Sequence, residues 1–385
     1  MRKTADVVVV GAGVVGCSIA YHLAGLGIRD VLIIEKMSAA GQGSTSKANG
    51  GIRAQWSTPV NIKLSNYSIS AYERFREETG GDCGLRQVGY LFMTSSEPGE
   101  RTLRRNLSLQ QSLGVPNRWL APEEISELAP YVRCDDLRGA TFSPKDGLLD
   151  PHGSTLGYLQ AARRMGIELA TDAEVLEIER DPAGASGVRT TTGNVASRRI
   201  VNAAGPFAGI LGQRAEVDLP VLPYKRMLAC TEEIGVAPLS IPMTVDFDTG
   251  LLIRREGSGI ILAYSDPNDP PGFDTSFDLR FIEVVSEKAQ QRFPFLEEAR
   301  VSPRRCWAGL YPETPDHHAI LGECPDLPGF FLAVGFGGHG LMHAPATGRA
   351  IAELIAFEDC RFMDIHQLRP ERFRQQDLNI ETTVL

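Results

Sequence analysis

Four β-branched residues in a row, Val7-Val8-Val9-Val10, open the hydrophobic pattern of the chain. A run of this kind is expected of a strand buried on both faces in a parallel sheet. Gly11-Ala12-Gly13-Val14-Val15-Gly16 follows at once, and apolar positions at 15, 19, 20, 23 and 26 then mark a helix over 14–26 that Gly27 stops. Val31-Leu32-Ile33-Ile34 supplies a second buried strand, and Glu35 closes the unit nineteen residues after Gly16. Each part has a physical job. Gly11 permits a tight turn, Gly13 lets the backbone approach a pyrophosphate, and Gly16 lets the helix pack close to the strand. The helix N-terminus offers unpaired N–H groups to phosphates, and Glu35 can accept both hydrogen bonds of a ribose diol. With the strand before it, the helix after it and the acid at the right distance, the glycine pattern is a strong dinucleotide signature. A secretory leader is the other way to read Arg2 and Lys3 ahead of an apolar run; Asp6 and the glycine spacing argue against it.

Beyond Glu35 the segment 41–51 is small and polar throughout, so its many free backbone donors could wrap a cofactor. The pattern then predicts a helix over 61–79, a strand over 89–93 and helices over 100–113 and 122–128, a departure from strict β/α alternation. Alternation returns with a helix around 155–165, short strands at 174–179, 187–191 and 199–201, and the small-residue turn Asn202-Ala203-Ala204-Gly205. In a dinucleotide fold such a turn lies beside the ligand crevice. Strand candidates at 228–231, 243–247, 251–254 and 260–264, with a helix over 281–293, read as an antiparallel sheet decorated by helices. The strand 330–334, the loop Gly335-Phe336-Gly337-Gly338-His339-Gly340 and a helix over 344–357 with Pro345 at its start complete the pattern.

Composition narrows the class. At 385 residues the chain can form two domains, and 43% hydrophobic with 23% charged residues is ordinary for a globular protein. A net charge of −9 argues against nucleic acid or an anionic membrane as a partner. No apolar run reaches the ~18–20 residues of a transmembrane helix. Seven cysteines without CxxC spacing point to reduced thiols and a cytoplasmic setting, with membrane association only through a partner, and to no metal site.

Four segments in order carry a resemblance: GAGVVG with Glu35, GSTSKANGGIR at 43–53, VNAAGPFA at 201–208, and the pair GLYPETPD at 309–316 and GFGGHGLMHAPATG at 335–348. Together they resemble the flavoprotein family of D-amino acid oxidase, glycine oxidase and sarcosine oxidase, with the β subunits of sarcosine oxidase and proline dehydrogenase nearest in pattern. The resemblance implies an α/β Rossmann-like FAD-binding domain, at 1–84, 143–215 and 310–385, interleaved with an antiparallel-sheet substrate domain at 85–142 and 216–309. It implies FAD, bound without a covalent link, at Gly11, Gly13, Val14, Val15, Gly16, Glu35 and Lys36, and at Gly43, Ser44, Thr45 and Ser46. Ala204, Gly205, Gly309, Gly335, Gly337, Gly338, His339, Gly340, Leu341 and Met342 complete the implied cofactor set.

The family's chemistry is flavin oxidation of a carbon next to nitrogen, so the resemblance implies oxidation of a small amino acid, a secondary amine such as proline or an N-alkylglycine. Arg53 is the leading candidate to hold the substrate carboxylate, since a guanidinium pairs with a carboxylate bidentately. Arg254 and Tyr311 are further candidates for the substrate side. Three departures matter. Gly309 stands where sarcosine oxidases carry the cysteine that links their flavin, Met342 where they carry a carboxylate-binding lysine, and Ile261 where they carry a lysine implicated in activating oxygen. The last change, with the β-subunit resemblance, implies other subunits of a hetero-oligomeric dehydrogenase or a respiratory acceptor as electron partner. Two other readings stay open: oxidation of a 2-hydroxy acid, and a non-catalytic flavoprotein that assists assembly of respiratory complexes.

Overall fold

The strand β1 (Val7–Val10), the helix α1 (Val14–Gly25) and the strand β2 (Val31–Ile34) form the unit expected from the pattern. They sit at the centre of a computed structural model that describes residues 1–235 and 241–384. All four valines of β1 are buried, because sheet neighbours flank the strand and helices or loops cover both its faces. The six-stranded sheet runs in the order Ile320–Glu323, Phe330–Val334, Ile200–Asn202, β1, β2, Glu168–Ala170. All pairs are parallel except the edge strand Ile320–Glu323, which runs antiparallel to Phe330–Val334.

The helix Gly340–Phe357 packs across α1. It starts four residues earlier than its apolar pattern indicated, which places Pro345 inside it. Proline lacks the N–H that would bond the carbonyl four residues back. That carbonyl, Leu341 O, instead accepts from the Tyr72 hydroxyl at 2.7 Å, which satisfies the acceptor that the proline leaves unpaired. Close approach to α1 depends on Gly348, where a Cβ would stand 2.2 Å from Ser18 Oγ, and Ser18 Oγ donates to Ala344 O at 2.8 Å.

The second sheet has eight strands, ordered Trp307–Glu313, Leu222–Cys230, Gly259–Tyr264, Leu251–Glu256, Met243–Asp246, Tyr90–Thr94, Gly139–Ser143, Arg118–Leu120. It is mixed and not wholly antiparallel: Met243–Asp246 pairs with Tyr90–Thr94 in parallel, which joins the two sequence blocks of the sheet side by side. Trp307–Glu313 belongs to this sheet along its whole length and so crosses the boundary expected at 309/310. Leu222–Cys230 starts six residues before its strongest apolar positions, because Tyr224 and Arg226 lie on a face covered by other residues and carry no hydrophobic alternation.

Two helix boundaries moved for local reasons. The helix Glu97–Ser112 begins three residues early because Ser96 caps it, accepting from Gly99 N at 3.0 Å. The predicted helix over 61–79 is two helices, Pro59–Glu73 and Phe75–Thr79, with a break at Arg74. Among the described residues no helix is long and apolar enough to cross a membrane.

Candidate active site

The first turn of α1 meets the loop 41–51 and the mixed sheet around a cavity of about 690 Å³. α1 has no acidic residue in its first turn and no side-chain cap; Val14 N donates weakly to Thr45 Oγ1 at 3.3 Å. Its N-terminal donors and partial positive charge therefore face the cavity. Gly11 holds φ +108°, and a Cβ there would stand 2.4 Å from Ala203 O, so this turn admits only glycine. Glu35, at the end of β2, is fixed by Ala12 N at 2.8 Å and Met37 N at 2.9 Å. Each carboxylate oxygen takes one of these bonds and keeps a lone pair for a ligand. An anion-binding helix end, a glycine cradle and an oriented acid fit a dinucleotide cofactor.

The far end of the cavity is built by the mixed sheet. Tyr311 and Gly309 project from one face of Trp307–Glu313, with Tyr224 and Arg226 opposite them in register. Ser44 Oγ donates to Leu310 O at 2.6 Å, and Trp307 Nε1 donates to Lys47 O at 3.0 Å, so the loop 41–51 is tied to this strand. Gly309 lies against Lys47, and a Cβ there would stand 2.6 Å from Lys47 Cβ. Gly338 lies flat on Tyr311, whose ring a Cβ would meet at 2.7 Å. Tyr90, Met243 and Leu252 complete this end of the lining.

Arg53 lines the cavity and is 2% exposed. Its guanidinium lies over the Trp56 ring at 3.5 Å, Nη1 donates to Gln55 O at 2.5 Å and Nη2 to Thr383 O at 2.5 Å. Both acceptors are neutral, and among the described residues no carboxylate lies within ion-pair distance of it. Burial pulls its pKa below the ordinary arginine value, yet guanidinium stays charged. The buried carboxylates Glu381 and Asp146 stabilise this charge only at longer range, so a ligand anion would be its first contact counter-ion.

His339, just before the helix Gly340–Phe357, and His343, within it, both have pKa values held below the usual histidine range. His339 lines the cavity edge-on to Trp56, with ring centroids 4.2 Å apart, and burial followed by repulsion from His343 and Arg53 holds its pKa well below the usual range. His343 bonds Ser65 Oγ through Nε2 at 2.9 Å, and burial first, then Arg53, push its pKa down to about 3. A histidine depressed on folding contributes stability that is full above its unfolded pKa of about 6.5 and is lost as pH falls. The melting temperature of the wild type is therefore expected to exceed that of His343→Asn most at neutral pH, with the gap narrowing below about pH 6.5. A gap independent of pH would contradict this assignment.

Residues 6–354 match the model of the DAO family, described as FAD dependent oxidoreductase. The chain belongs to this family. It is 31% identical over 373 residues to human mitochondrial sarcosine dehydrogenase, covering 92% of this chain and 40% of that protein. It is 29% identical over 392 residues to the mitochondrial dimethylglycine dehydrogenase of Rattus norvegicus, covering 97% of this chain and 45% of that protein. The chain thus spans less than half the length of these curated relatives. Among solved structures, L-proline dehydrogenase from P. horikoshii superposes with a TM-score of 0.92 at 30% identity, covering 98% of this chain and 100% of that one. FAD is accordingly the cofactor to which the cavity is fitted.

Most of the expected site residues meet in the cavity. Gly11, Gly13, Val14, Val15, Glu35, Lys36, Gly43, Ser44, Thr45, Ala204, Gly205, Gly309, Tyr311 and Arg53 line it, as do Gly337, Gly338, His339, Gly340, Leu341 and Met342. Gly16, Ser46, Gly335 and Arg254 do not. Gly16 packs on Gly11, whose carbonyl oxygen a Cβ would meet at 2.0 Å. Ser46 Oγ turns back to Gly43 O at 2.9 Å, and Gly335 packs on Thr314. Arg254 is held by Asn49 Oδ1 at 2.7 Å and by Glu256. It shares a face with Leu252, which lines the cavity, but stands two residues further along the strand, paired with Ile261. Ile261 is itself buried among Leu228 and Cys230 and does not line the cavity.

Several lining residues were not marked by sequence. Phe207, with Lys36 Nζ 2.9 Å from its ring centroid and Phe273 stacked on it at 5.0 Å, closes the end near Glu174 and Arg214. Phe207 lies inside the VNAAGPFA segment, so its neighbourhood was legible; Phe273 sits in a proline-rich loop and gave no signal.

Proposed function

We propose that the chain oxidises a small amino acid, a secondary amine such as proline or an N-alkylglycine, at the carbon next to nitrogen. The carrying observation is the buried guanidinium of Arg53, which has no carboxylate in contact among the described residues and faces the same cavity as the dinucleotide cradle. FAD, when bound, supplies the chemistry by accepting the hydride from that carbon. The chain's own residues bind and orient. Arg53 takes the substrate carboxylate bidentately, with Trp56 supporting its plane. Its charge also lowers the pKa of the substrate ammonium nearby, which favours the neutral amine whose lone pair drives oxidation. Tyr311 and Tyr90 offer hydroxyls on a buried wall, and Met243 and Leu252 keep that wall apolar and short of water. His339, neutral, adds no second cation beside the amine. No side chain is assigned as general base, since hydride transfer from a neutral amine needs none. The imine product hydrolyses in water. Electrons are proposed to leave through a partner subunit or respiratory acceptor.

FAD is proposed to be held without a covalent bond. No cysteine lines the cavity among the described residues, and the crowding of Gly309 against Lys47 leaves no room for one at that position. Acid precipitation is expected to release yellow FAD into the supernatant. Flavin remaining with the pellet would sink this point. The substrate class itself is tested by reduction of the bound flavin under anaerobic conditions, the measurement that closes the Discussion.

A further inference from the structure

The segment after the helix Arg372–Gln375 has no regular structure and runs from Asp377 to Val384. It nevertheless buries a carboxylate completely: Glu381 is 0% exposed. Oε1 accepts from Ser57 N at 2.8 Å, from Thr383 N at 2.9 Å and from the Ser57 hydroxyl. Oε2 accepts from Thr58 Oγ1 at 2.7 Å and Asn61 Nδ2 at 3.2 Å. Among the described residues no cation lies within ion-pair distance, so hydrogen bonds are its only direct partners, and the Arg53 charge acts on it at longer range. Burial would raise its pKa, but these bonds, from Ser57 first and Thr58 next, outweigh it and keep the carboxyl below the usual range.

The placement of these donors is the informative part. Ser57 and Thr58 end the stretch Arg53-Ala54-Gln55-Trp56-Ser57-Thr58, so Glu381 clamps the loop that carries Arg53. Two residues on, Thr383 O accepts from Arg53 Nη2, and Thr383 Oγ1 is held by Asn106 Nδ2 at 3.2 Å. Glu381 also accepts the N–H of Thr383, which fixes the direction of the turn that aims this carbonyl. Two of the five guanidinium N–H groups are then spent on neutral carbonyls, Gln55 O and Thr383 O, and the remainder with the full charge is left for a ligand. An arginine has a long, rotamer-rich side chain, so its affinity for a carboxylate depends on how far it is already ordered.

We infer that Glu381 is a positioning residue of the substrate site: through Ser57, Thr58 and the carbonyl of Thr383 it holds Arg53 in the geometry that receives a carboxylate. This inference rests on the proposed role of Arg53. It assigns to a segment without regular structure, distant in sequence, a share in substrate affinity.

The test is a double-mutant cycle read by ligand binding. The probe is methoxyacetate, a mimic of an N-methylglycine whose ether oxygen cannot form an imine, titrated into the holo protein and followed by the flavin spectrum. Arg53→Met is expected to weaken binding by roughly 10- to 100-fold, and Glu381→Ala by roughly 5- to 10-fold. In the Arg53→Met background the Glu381→Ala effect is expected to shrink below about twofold, because residues acting as one unit are non-additive. Flavin content should match the wild type. If the alanine variant does not fold, Glu381→Gln, which keeps the size and one acceptor oxygen, carries the same cycle with a smaller effect. Equal Glu381 effects in both backgrounds, or none in either, would overturn the positioning role. No loss on Arg53→Met would instead overturn the reading of Arg53.

Discussion

Replacing Arg53 by methionine is expected to lower kcat/KM by roughly 10- to 100-fold while leaving FAD in place, the loss of a charged hydrogen bond of ~1.5–3 kcal/mol. Methionine keeps the apolar contact with Trp56 but removes the buried charge. Two effects should separate in the kinetics. Lost carboxylate binding raises KM. Loss of the nearby cation lets the substrate ammonium hold its proton more tightly, so the acid limb of the pH–rate profile should move to higher pH. If the variant loses its flavin instead, Arg53 is a cofactor residue and the substrate carboxylate is held elsewhere.

Gly11→Ala is expected to abolish FAD binding and to destabilise the apoprotein by ~1–3 kcal/mol, since alanine would have to adopt the positive φ that glycine holds here and its Cβ would clash. The conflict is internal to the chain: φ is +108° and the Cβ would meet Ala203 O at 2.4 Å, on the second turn that lines the cavity. Gly13→Ala makes the instructive contrast. There the backbone is extended and the only close neighbour of a Cβ is Thr45 Oγ1 at 3.3 Å. Its apoprotein should unfold like the wild type while its FAD affinity still falls, because the added methyl group would take up space at the helix end that would hold the phosphates. Measuring flavin content and apoprotein unfolding for both variants checks the pair. Equal apoprotein stability for the two would contradict the strain assigned to Gly11.

The dinucleotide half of the fold was legible because its signals are local. A run of β-branched residues, three glycines at fixed spacing and an acid at the next strand end each state their own conformation. The mixed sheet was legible in outline only. Its parallel pair, Met243–Asp246 with Tyr90–Thr94, joins segments some 150 positions apart, and no local pattern encodes which strands become neighbours. The strand Trp307–Glu313 was read as a motif and not as a strand, because it carries Gly309 and Pro312, both poor strand formers. Arg254 shows the limit for side chains. Its strand and face were accessible from alternation, but its distance along the strand from the cavity was not. The burial of Glu381 was invisible for the same reason: hydrogen-bond donors that gather from residues 57, 58, 61 and 383 have no signature along the chain.

The most direct test of the central claim is anaerobic reduction of the bound FAD by a panel of substrates, followed as loss of its visible absorption. The panel should pair secondary-amine amino acids, proline and N-methylglycine among them, with 2-hydroxy acids of matched size. The account expects bleaching by at least one amine, abolished or slowed in Arg53→Met, and none by the hydroxy acids. Bleaching by hydroxy acids alone, or by no member of the panel, would contradict it.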